Sequence, residues 1–461
     1  MPLIKSISGI RGTIGGTPGN AFTPLDIVRF TAAFGSWLKK KTDKKKVVIG
    51  RDGRISGPLV QHLVTGTLIS LGLDVIDLDL STTPTVEIAV QEEKAAGGII
   101  LTASHNPKEW NALKLLNSEG EFITAENGKE VLAMAEKEDF SFVEVTKLGS
   151  HTTDNSYLQK HIDLILNHPL VNVEAIRERK FSIVIDAINS TGSIFIPALL
   201  NALGVEKIKV LNAEVNGKFQ HNPEPLPENL TGLSNEVVKS KADLGIAIDP
   251  DVDRLCFVCE DGSMFGEEYT LVAVADYVLS KKKGNTVSNL SSTRALKDIT
   301  EKHGGQYFPS AVGEVNVVKR MREVDAVIGG EGNGGIIDPQ LHYGRDALIG
   351  IALFLSHLAI SQKSILALRR QYPDYFISKN KIEIDKEVAV NKILKRIREK
   401  YKNNPANTED GLRIEFDSNW VHLRSSNTEP IIRIYAESQN ETTAQNIAKR
   451  IMEDIRECMK N

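Results

Sequence analysis

The chain has 461 residues, of which 41% are hydrophobic and 25% are charged, and its formal net charge is −4. Domains usually hold about 100–150 residues, so we expect three or four of them. The near-neutral charge indicates no affinity for nucleic acid or for an anionic membrane surface. No run approaches the roughly 18 apolar residues of a membrane helix, and the N-terminus lacks the apolar core of a secretory signal. Three cysteines form no disulfide framework, and we therefore expect a cytoplasmic protein.

Short apolar runs alternate with helical patterns along most of the chain, which predicts an α/β fold with helices packed on sheets. The predicted strands are 47–50, 75–78, 98–101, 182–186, 207–211, 244–248, 326–329, 412–416, 420–424 and 431–435. The predicted helices are 24–39, 57–71, 126–137, 154–166, 193–203, 267–281, 294–303, 345–360, 388–401 and 441–458. Changes in composition divide the chain into four expected domains, the last of them α+β: 1–150, 151–255, 256–370 and 371–461.

The first segment that suggests chemistry is residues 102–107, Thr-Ala-Ser-His-Asn-Pro, which follows a short apolar strand. A serine that leaves a strand end beside an imidazole and an amide suits a nucleophile. The same residues also suit an ordinary turn with local side-chain hydrogen bonds. Ser104 and His105 are therefore candidates whose role depends on the other loops.

A second loop, residues 249–254, reads Asp-Pro-Asp-Val-Asp-Arg and also follows an apolar strand. Carboxylates at alternate positions can converge on one hard cation such as Mg²⁺. An EF-hand is excluded, because Arg254 stands where that loop needs glycine and the next residues resemble a strand. An Asp-x-Asp after a strand also begins the haloacid-dehalogenase phosphatases, in which Asp249 would be the nucleophile. A surface acid cluster is the remaining alternative.

Two further loops carry side chains suited to ligand binding. Residues 329–335 place five glycines around Glu331 and Asn333, which suits close backbone approach and recognition of hydroxyls. Their spacing matches neither a dinucleotide fingerprint nor a P-loop. Residues 424–430, with Arg433 beyond them, combine two arginines with hydroxyl and amide donors, as a dianion site requires. A solvated hairpin is the alternative for this last segment.

Two more cations complete the set: Arg11, between two glycines, and Lys114, ten residues after Ser104. A serine nucleophile, a cation site, a hydroxyl-binding loop and a separate phosphate site together predict phosphoryl transfer on a phosphorylated polyol. Two phosphate sites, one reactive and one not, exceed what a simple hydrolase requires. A non-catalytic sugar-phosphate binding protein is the alternative outside the enzymes.

These loops closely resemble those of the α-D-phosphohexomutase family, which includes phosphoglucomutase/phosphomannomutase and phosphoglucosamine mutase. All four occur in the family's order, and the resemblance covers nearly the whole chain. It implies four domains around a central cleft, the first three being similar α/β domains. It also implies that Ser104 is carried as phosphoserine and completes a Mg²⁺ site begun by Asp249, Asp251 and Asp253.

The resemblance further implies a reaction and its residues. The phosphate would pass to the free hydroxyl of a hexose 1- or 6-phosphate, and the bound 1,6-bisphosphate would turn end over end before returning its other phosphate. Lys114 and Arg11 would serve proton transfer and charge stabilisation, His105 would support the loop, and Arg254 belongs to the same catalytic set. The non-reacting phosphate would bind Arg424, Ser426, Asn427, Thr428 and Arg433.

The resemblance assigns sugar binding to Gly313, Glu314, Glu331 and Asn333. Many members have serine at the position of Asn333 and histidine or glycine at that of Gly335, so this version looks like the archaeal-type branch. His342 is a candidate for the missing imidazole. Glu314 suits a substrate ammonium, which favours glucosamine phosphate over glucose or mannose phosphate, although an exposed glutamate needs no such role. We expect sugar phosphates as partners, no nucleic acid or membrane, and a monomer or homodimer.

Overall fold

The computed structural model describes residues 3–6, 9–384, 390–425 and 431–460. These residues form four β-sheets with helices packed against them, three of mixed α/β type followed by one antiparallel sheet. The expected α/β architecture with a C-terminal α+β domain is confirmed. Within the described ranges, no helix combines the length and the apolar character needed to cross a membrane.

The first sheet has seven strands in the order β1-β2-β6-β5-β3-β4-β7. They are β1 (Ile4–Ser6), β2 (Gly9–Thr13), β3 (Lys46–Arg51), β4 (Asp74–Leu80), β5 (Gly97–Leu101), β6 (Trp110–Leu116) and β7 (His151–Thr153). The helices packed on it are α1 (Pro24–Lys41), α2 (Gly57–Ser70), α3 (Thr83–Glu92) and α4 (Ala125–Lys137). Strand β7 pairs with β4, so this sheet extends past the boundary predicted after residue 150.

The second and third sheets have four strands each, in the orders β11-β10-β8-β9 and β13-β12-β14-β15. Their strands are β8 (Ser182–Asp186), β9 (Lys207–Leu211), β10 (Leu244–Ile248), β11 (Leu255–Cys259), β12 (Asn285–Asn289), β13 (Tyr307–Ser310), β14 (Ala326–Glu331) and β15 (Gly335–Ile337). Their helices are α5 (Tyr157–Leu166), α6 (Val173–Arg179), α7 (Gly192–Ala202), α8 (Thr231–Ser240), α9 (Glu267–Lys281), α10 (Ala295–Lys302), α11 (Glu314–Glu323), α12 (Ala347–Ser361) and α13 (Ile365–Arg369).

The fourth sheet is antiparallel, in the order β16-β20-β19-β18-β17. Its strands are β16 (Phe376–Glu383), β17 (Ala406–Asn407), β18 (Leu412–Glu415), β19 (Trp420–Ser425) and β20 (Ile431–Ser438). Helices α14 (Val390–Lys400) and α15 (Glu441–Lys460) complete the domain. Apolar side chains three and four residues apart, such as Ile393, Leu394 and Ile397, bury one face of α14 in a core of its own.

The second and third domains share one continuous hydrophobic core, to which α9 and α12 contribute most of their length. Strand β11 pairs with β10 and so belongs to the second sheet, although the predicted boundary after residue 255 cuts through it. Cys256 and Cys259 are both buried and free, and they pack in two different clusters. The two thiols therefore point to opposite faces of the strand.

The same unit occurs once in each of the first three domains. A strand with a parallel neighbour ends in a polar loop, and the chain returns as an antiparallel strand: β5 to β6, β10 to β11, and β14 to β15. Strand β8 also ends in a polar loop, but it leads into α7 and not into an antiparallel strand. Three of the four candidate loops are therefore equivalent hairpin connections at the carboxyl ends of parallel strands, where α/β proteins place their ligands.

Candidate active site

Ser104 lies in the loop after β5 with a φ of 48°, a left-handed conformation that residues with a Cβ seldom adopt. Its backbone is held from two sides. The Ser104 N–H donates to Thr102 Oγ1 at 2.9 Å. The fully buried Arg54 guanidinium donates to four carbonyl oxygens of this loop, those of Ser104, Asn106, Pro107 and Trp110. The strained loop conformation is therefore over-determined, as at many functional sites.

Asp52 supports the same loop. Its Oδ2 accepts hydrogen bonds from Arg54 Nε at 3.0 Å and from Thr102 Oγ1 at 2.7 Å. Burial raises the pKa of Asp52, although the Arg54 charge and the Thr102 hydrogen bond act against that rise. The carboxylate thus links the arginine and the threonine that together orient Ser104.

The three aspartates of the loop after β10 converge on one point. Asp249, Asp251 and Asp253 are buried, and each offers a carboxylate oxygen within 4.8 Å of the others. Ser104 Oγ donates to Asp249 Oδ2 at 2.6 Å, so the two loops meet although they come from different sheets. Val252, between Asp251 and Asp253 in the chain, has a φ of 61°, which is a strained conformation for a β-branched residue.

Hydrogen bonds from the protein hold at least one oxygen of each aspartate. Asp249 Oδ1 accepts the backbone N–H groups of Asp253 and Arg254, both at 3.2 Å. Asp251 Oδ2 accepts from Thr83 Oγ1 and Lys114 Nζ, both at 2.6 Å. Asp253 Oδ2 accepts from Lys114 Nζ at 3.3 Å and from Arg345 at 2.6 Å. These contacts fix the direction in which the second oxygens point.

The second oxygens of Asp251 and Asp253 are buried and have no hydrogen-bond partner in the described part of the chain. An unpaired buried carboxylate oxygen is costly. Burial and the neighbouring charges of Asp251 and Asp253 also raise the pKa of Asp249 well above its ordinary value. An oxygen-only donor set with this excess negative charge fits a hard divalent cation such as Mg²⁺, with Ser104 beside it as a fourth oxygen.

Lys114 projects from β6 toward this cluster. Burial lowers the pKa of its amine, but the charges of Asp251 and Asp253 outweigh burial and raise it overall. The side chain is therefore an ammonium in these contacts, which suits the charge-stabilising part of its expected role.

Positive charge from three domains gathers around Ser104. Burial lowers the pKa of Arg11, and the nearby charges of Arg433 and Arg254 lower it further. The Nε atoms of Arg11 and Arg254 are buried without a hydrogen-bond partner among the described residues. Guanidinium groups that repel one another in this way provide an environment for an anion such as a phosphate.

His105 lies beside Ser104, with Nδ1 at 3.3 Å from Ser104 Oγ. Burial, together with the charge of Arg254, lowers the pKa of His105 well below its ordinary value. The imidazole is consequently neutral near pH 7 and adds no positive charge to the site.

The predicted sugar-binding residues meet one another at the start of α11 and the end of β14. Glu331 Oε1 accepts from Asn289 Nδ2 at 2.9 Å and from the Gly313 N–H at 3.0 Å. Asn333 Oδ1 accepts the Gly335 N–H at 3.2 Å, within the turn between β14 and β15. Glu331 and Gly313 therefore form one surface, although 18 residues separate them.

Glu314 is buried rather than exposed, at 8% of its accessible surface. Its Oε2 accepts from Arg345 Nε at 2.9 Å and its Oε1 from the Arg345 N–H at 3.3 Å. Burial raises the pKa of Glu314 to about 7, although the charge of Arg345 opposes the rise. A substrate ammonium would have to share this carboxylate with Arg345.

His342, the candidate for the sugar-loop imidazole, lies beside two carboxylates. Its Nε2 lies 3.2 Å from Asp346 Oδ2, and its Nδ1 lies 3.4 Å from Glu87 Oε2. The ring is 4% exposed, and both nitrogens face these carboxylates. Asp346 engages Nε2, whereas Glu87 Oε2 accepts no hydrogen bond from the described residues. The sugar-loop role expected of His342 therefore stays a prediction.

The phosphate-binding segment is described in part. Arg424 and Arg433 are directly opposite each other on β19 and β20. Arg424 Nε lies 2.7 Å from Asp410 Oδ2, and the same oxygen accepts the Val312 N–H at 3.0 Å, which connects the fourth domain to the loop before α11. The other three predicted phosphate ligands, Ser426, Asn427 and Thr428, lie outside the described residues.

Three residues of the site were missing from the sequence prediction: Arg54, Thr83 and Arg345. Arg54 follows β3 and Thr83 follows β4, so both lie at the carboxyl edge of the sheet that carries Ser104. Arg54 and Thr83 could have been predicted as site residues because each is a polar residue shortly after one of the neighbouring parallel strands. Arg345 precedes α12 and has no such local signal.

Known proteins share this whole architecture. Models of the four phosphoglucomutase/phosphomannomutase domains match residues 3–142, 155–262 and 266–376 for the three alpha/beta/alpha domains and 381–454 for the C-terminal domain. A "Phosphoglucomutase/phosphomannomutase" from Thermococcus kodakarensis is 35% identical over 97% of this chain and 99% of its own. A "Probable phosphoglucosamine mutase" from Methanopyrus kandleri is 32% identical over 98% and 97%.

A solved structure agrees with the sequence comparisons. The crystal structure of a phosphoglucomutase/phosphomannomutase family protein from Burkholderia thailandensis superposes with a TM-score of 0.85 at 26% identity, covering 99% of this chain and 98% of that one. The family models, the full-length relatives and the solved structure therefore all indicate the same family. The chain belongs to the phosphoglucomutase/phosphomannomutase family, the α-D-phosphohexomutases.

Proposed function

We propose that this protein is a phosphohexomutase that interconverts hexose 6-phosphate and hexose 1-phosphate through a phosphate carried on Ser104. The observation that carries the proposal is the 2.6 Å contact between Ser104 Oγ and Asp249. Beside it lie two carboxylate oxygens, and the Nε atoms of Arg11 and Arg254, that have no hydrogen-bond partner among the described residues. A serine that only packed would need neither a cation site nor an anion site. With this function, the protein would act on soluble sugar phosphates in the cytoplasm, as a monomer or homodimer.

Each residue then has a distinct task. Ser104 Oγ accepts and returns the phosphoryl group, and the three aspartates, together with the serine-linked phosphate, would hold Mg²⁺. When bound, Mg²⁺ neutralises charge on the transferring group. Arg11, Arg254 and Lys114 stabilise the same charge, as preorganised cations do in phosphoryl transfer.

The sugar would be held at two places. Glu331 and Asn333, with Gly313 and Glu314, would bind its hydroxyls, while Arg424, Arg433 and the segment between them would bind the non-reacting phosphate. That second site permits a hexose 1,6-bisphosphate to remain bound while either end faces Ser104. Retention of this intermediate distinguishes a mutase from a phosphatase.

Among the hexoses, we propose glucosamine phosphate as the preferred substrate, with glucose and mannose phosphates as the alternatives. The name of the Methanopyrus kandleri relative supports this choice, whereas the Thermococcus kodakarensis relative is named for glucose and mannose. The test compares kcat/KM for the 1- and 6-phosphates of all three sugars. Equal or lower values for glucosamine would remove the preference without affecting the mutase proposal.

The phosphoserine is tested with a Ser104→Ala variant and a phosphate label. Wild-type protein incubated with labelled hexose bisphosphate should retain label on Ser104, and the variant should retain none and lose at least a thousandfold in kcat, since nucleophile removal typically costs about 10³-fold or more. Ser70→Ala, which removes an exposed helix hydroxyl, is the matched control. Label on Asp249 with release of inorganic phosphate would indicate an aspartate-nucleophile phosphatase instead.

A further inference from the structure

Arg345 binds three carboxylates of the site at once. Its guanidinium donates to one carboxylate from each of three different segments: Glu314 Oε2 at 2.9 Å, Glu331 Oε2 at 2.8 Å and Asp253 Oδ2 at 2.6 Å. These distances are those of strong charge-assisted hydrogen bonds. A single planar group therefore contacts the loop after β10, the start of α11 and the end of β14.

All four side chains are at least nine-tenths buried. Three carboxylates gathered in this space would repel one another, and removing the guanidinium that contacts all three would leave their buried negative charge less compensated. Lysine could replace the charge but not the fork, meaning the planar set of N–H donors of the guanidinium. The lysine ammonium is a point donor on a flexible stem. Because Arg345 contacts three acids at once, the directions of its N–H groups matter here as well as its charge.

The adjoining glycine is matched to this arginine. A Cβ at Gly335 would lie 2.3 Å from Arg345 Cδ and 3.0 Å from its Cγ. Cδ is not the free end of the side chain, since the guanidinium beyond it is held by three carboxylates. Any larger residue at position 335 would have to displace Arg345. The last glycine of the glycine-rich loop is thus required for the path of the Arg345 side chain.

Arg345 also orients the cation site. Asp253 Oδ2 receives hydrogen bonds from both Arg345 and Lys114, while Asp253 Oδ1 has no partner within the described ranges. The bound oxygen is thereby fixed, and with it the orientation of the whole Asp253 carboxylate. Glu331 is held at both carboxylate oxygens. Oε1 accepts from Asn289 and Gly313 while Oε2 accepts from Arg345, so the carboxylate cannot rotate freely.

We propose that Arg345 is a positioning residue that fixes the sugar-binding glutamates, Glu314 and Glu331, relative to the metal-binding Asp253. It would set the distance between the sugar hydroxyls and the cation, so that one geometry serves both orientations of the substrate. The sugar part of this inference rests on the proposed function, whereas the effect on cation binding does not.

Two variants test the inference in complementary ways. Arg345→Lys keeps the charge and loses the fork, and Gly335→Ala keeps the guanidinium and displaces it. Mn²⁺ binding to the purified protein, measured by electron paramagnetic resonance, should weaken by about 10- to 100-fold in both, as is typical when a group that orients a metal ligand is lost. The KM for hexose phosphate should rise along with a fall in kcat.

Matched controls separate positioning from a general loss of structure. Arg369→Lys removes a guanidinium that pairs with Asp374 and contacts none of the three acids. Gly128→Ala adds a methyl group where no atom lies within 4 Å. Both should bind Mn²⁺ and turn over substrate as the wild type does.

The outcomes are distinct. A folded Arg345→Lys protein with wild-type Mn²⁺ affinity and wild-type KM overturns the inference, as does a Gly335→Ala protein with those properties if Arg345→Lys does not fold. A loss of kcat alone, in proportion to unfolded protein, would assign Arg345 a structural role and also overturns it. If the wild type itself does not interconvert the hexose phosphates, the proposed function fails, while weakened Mn²⁺ binding in both variants still supports the positioning of Asp253.

Discussion

Replacement of Thr83 by valine tests whether the first domain helps to build the cation site. Thr83 begins α3, and its Oγ1 donates to Asp251 Oδ2 at 2.6 Å while its N–H donates to the Asp251 carbonyl at 2.9 Å. Valine has nearly the same shape and removes only the side-chain hydrogen bond. Asp251 would then be oriented by Lys114 alone on that oxygen.

The size of the effect follows from the kind of bond that is lost. A hydrogen bond to a charged acceptor contributes about 1.5–3 kcal/mol net. At about 1.4 kcal/mol for each factor of ten, the affinity for the divalent cation should fall roughly 10- to 150-fold. The maximal rate at saturating Mg²⁺ should change much less, because the ligand itself and Ser104 are unaltered.

The assay is a Mg²⁺ titration of mutase activity, supported by direct Mn²⁺ binding. Thr82→Val is the matched control, since Thr82 caps the same helix by accepting from the Thr85 N–H at 3.2 Å and makes no contact with the aspartates. Loss of this cap should cost about 1 kcal/mol of unfolding free energy and leave the Mg²⁺ requirement unchanged. Equal Mg²⁺ half-saturation in Thr83→Val and the wild type would refute the role assigned to Thr83.

Two further predictions concern the stability of the folded protein. Arg54→Lys should lower the unfolding free energy, measured by urea unfolding, by about 2–4 kcal/mol, because several buried carbonyls of the Ser104 loop lose their donor. Arg51→Lys, whose partners are the side chains of Gln61 and Asp79 and the Asp52 carbonyl, should cost less. Burial lowers the pKa of His422 to about 4 in the folded protein, whereas an unfolded histidine titrates near 6.5. Protons then bind the unfolded chain preferentially, so stability should decline as the pH falls from 6.5 to 4, by up to about 3 kcal/mol. The His422→Gln variant should lack this component in urea titrations across that range, and parallel pH profiles of the two proteins would contradict the prediction.

Local pattern predicted much of the secondary structure. The helix Glu267–Lys281 was expected at the same bounds, and Ala125–Lys137 was expected to within one residue. Ala125–Lys137 consists mostly of good helix formers, so its conformation depends little on distant contacts. The apolar strands before Ser104 and before Asp249 were equally clear, because fully buried parallel strands are uniformly apolar.

Other elements have a local pattern that tertiary packing overrides. Thr83–Glu92 is rich in β-branched residues, yet it is a helix, started by the Thr82 cap and by Pro84 in its first turn, and buried along most of its length. The strand Asn285–Asn289 is polar, but it lies between β13 and β14 with its last four residues buried. Neither was predicted, since intrinsic propensity is a weak guide where burial determines the outcome.

By itself the sequence determined the four loops, their order and the chemistry that their side chains carry. The tertiary structure alone decided which groups orient the aspartates: Thr83 meets Asp251 across 168 residues, and Arg345 meets Asp253 across 92. A carboxylate residue in a sequence indicates a possible metal ligand. The direction of its free oxygen, by contrast, depends on donors that reach it from other domains, and those donors meet it only when the domains pack.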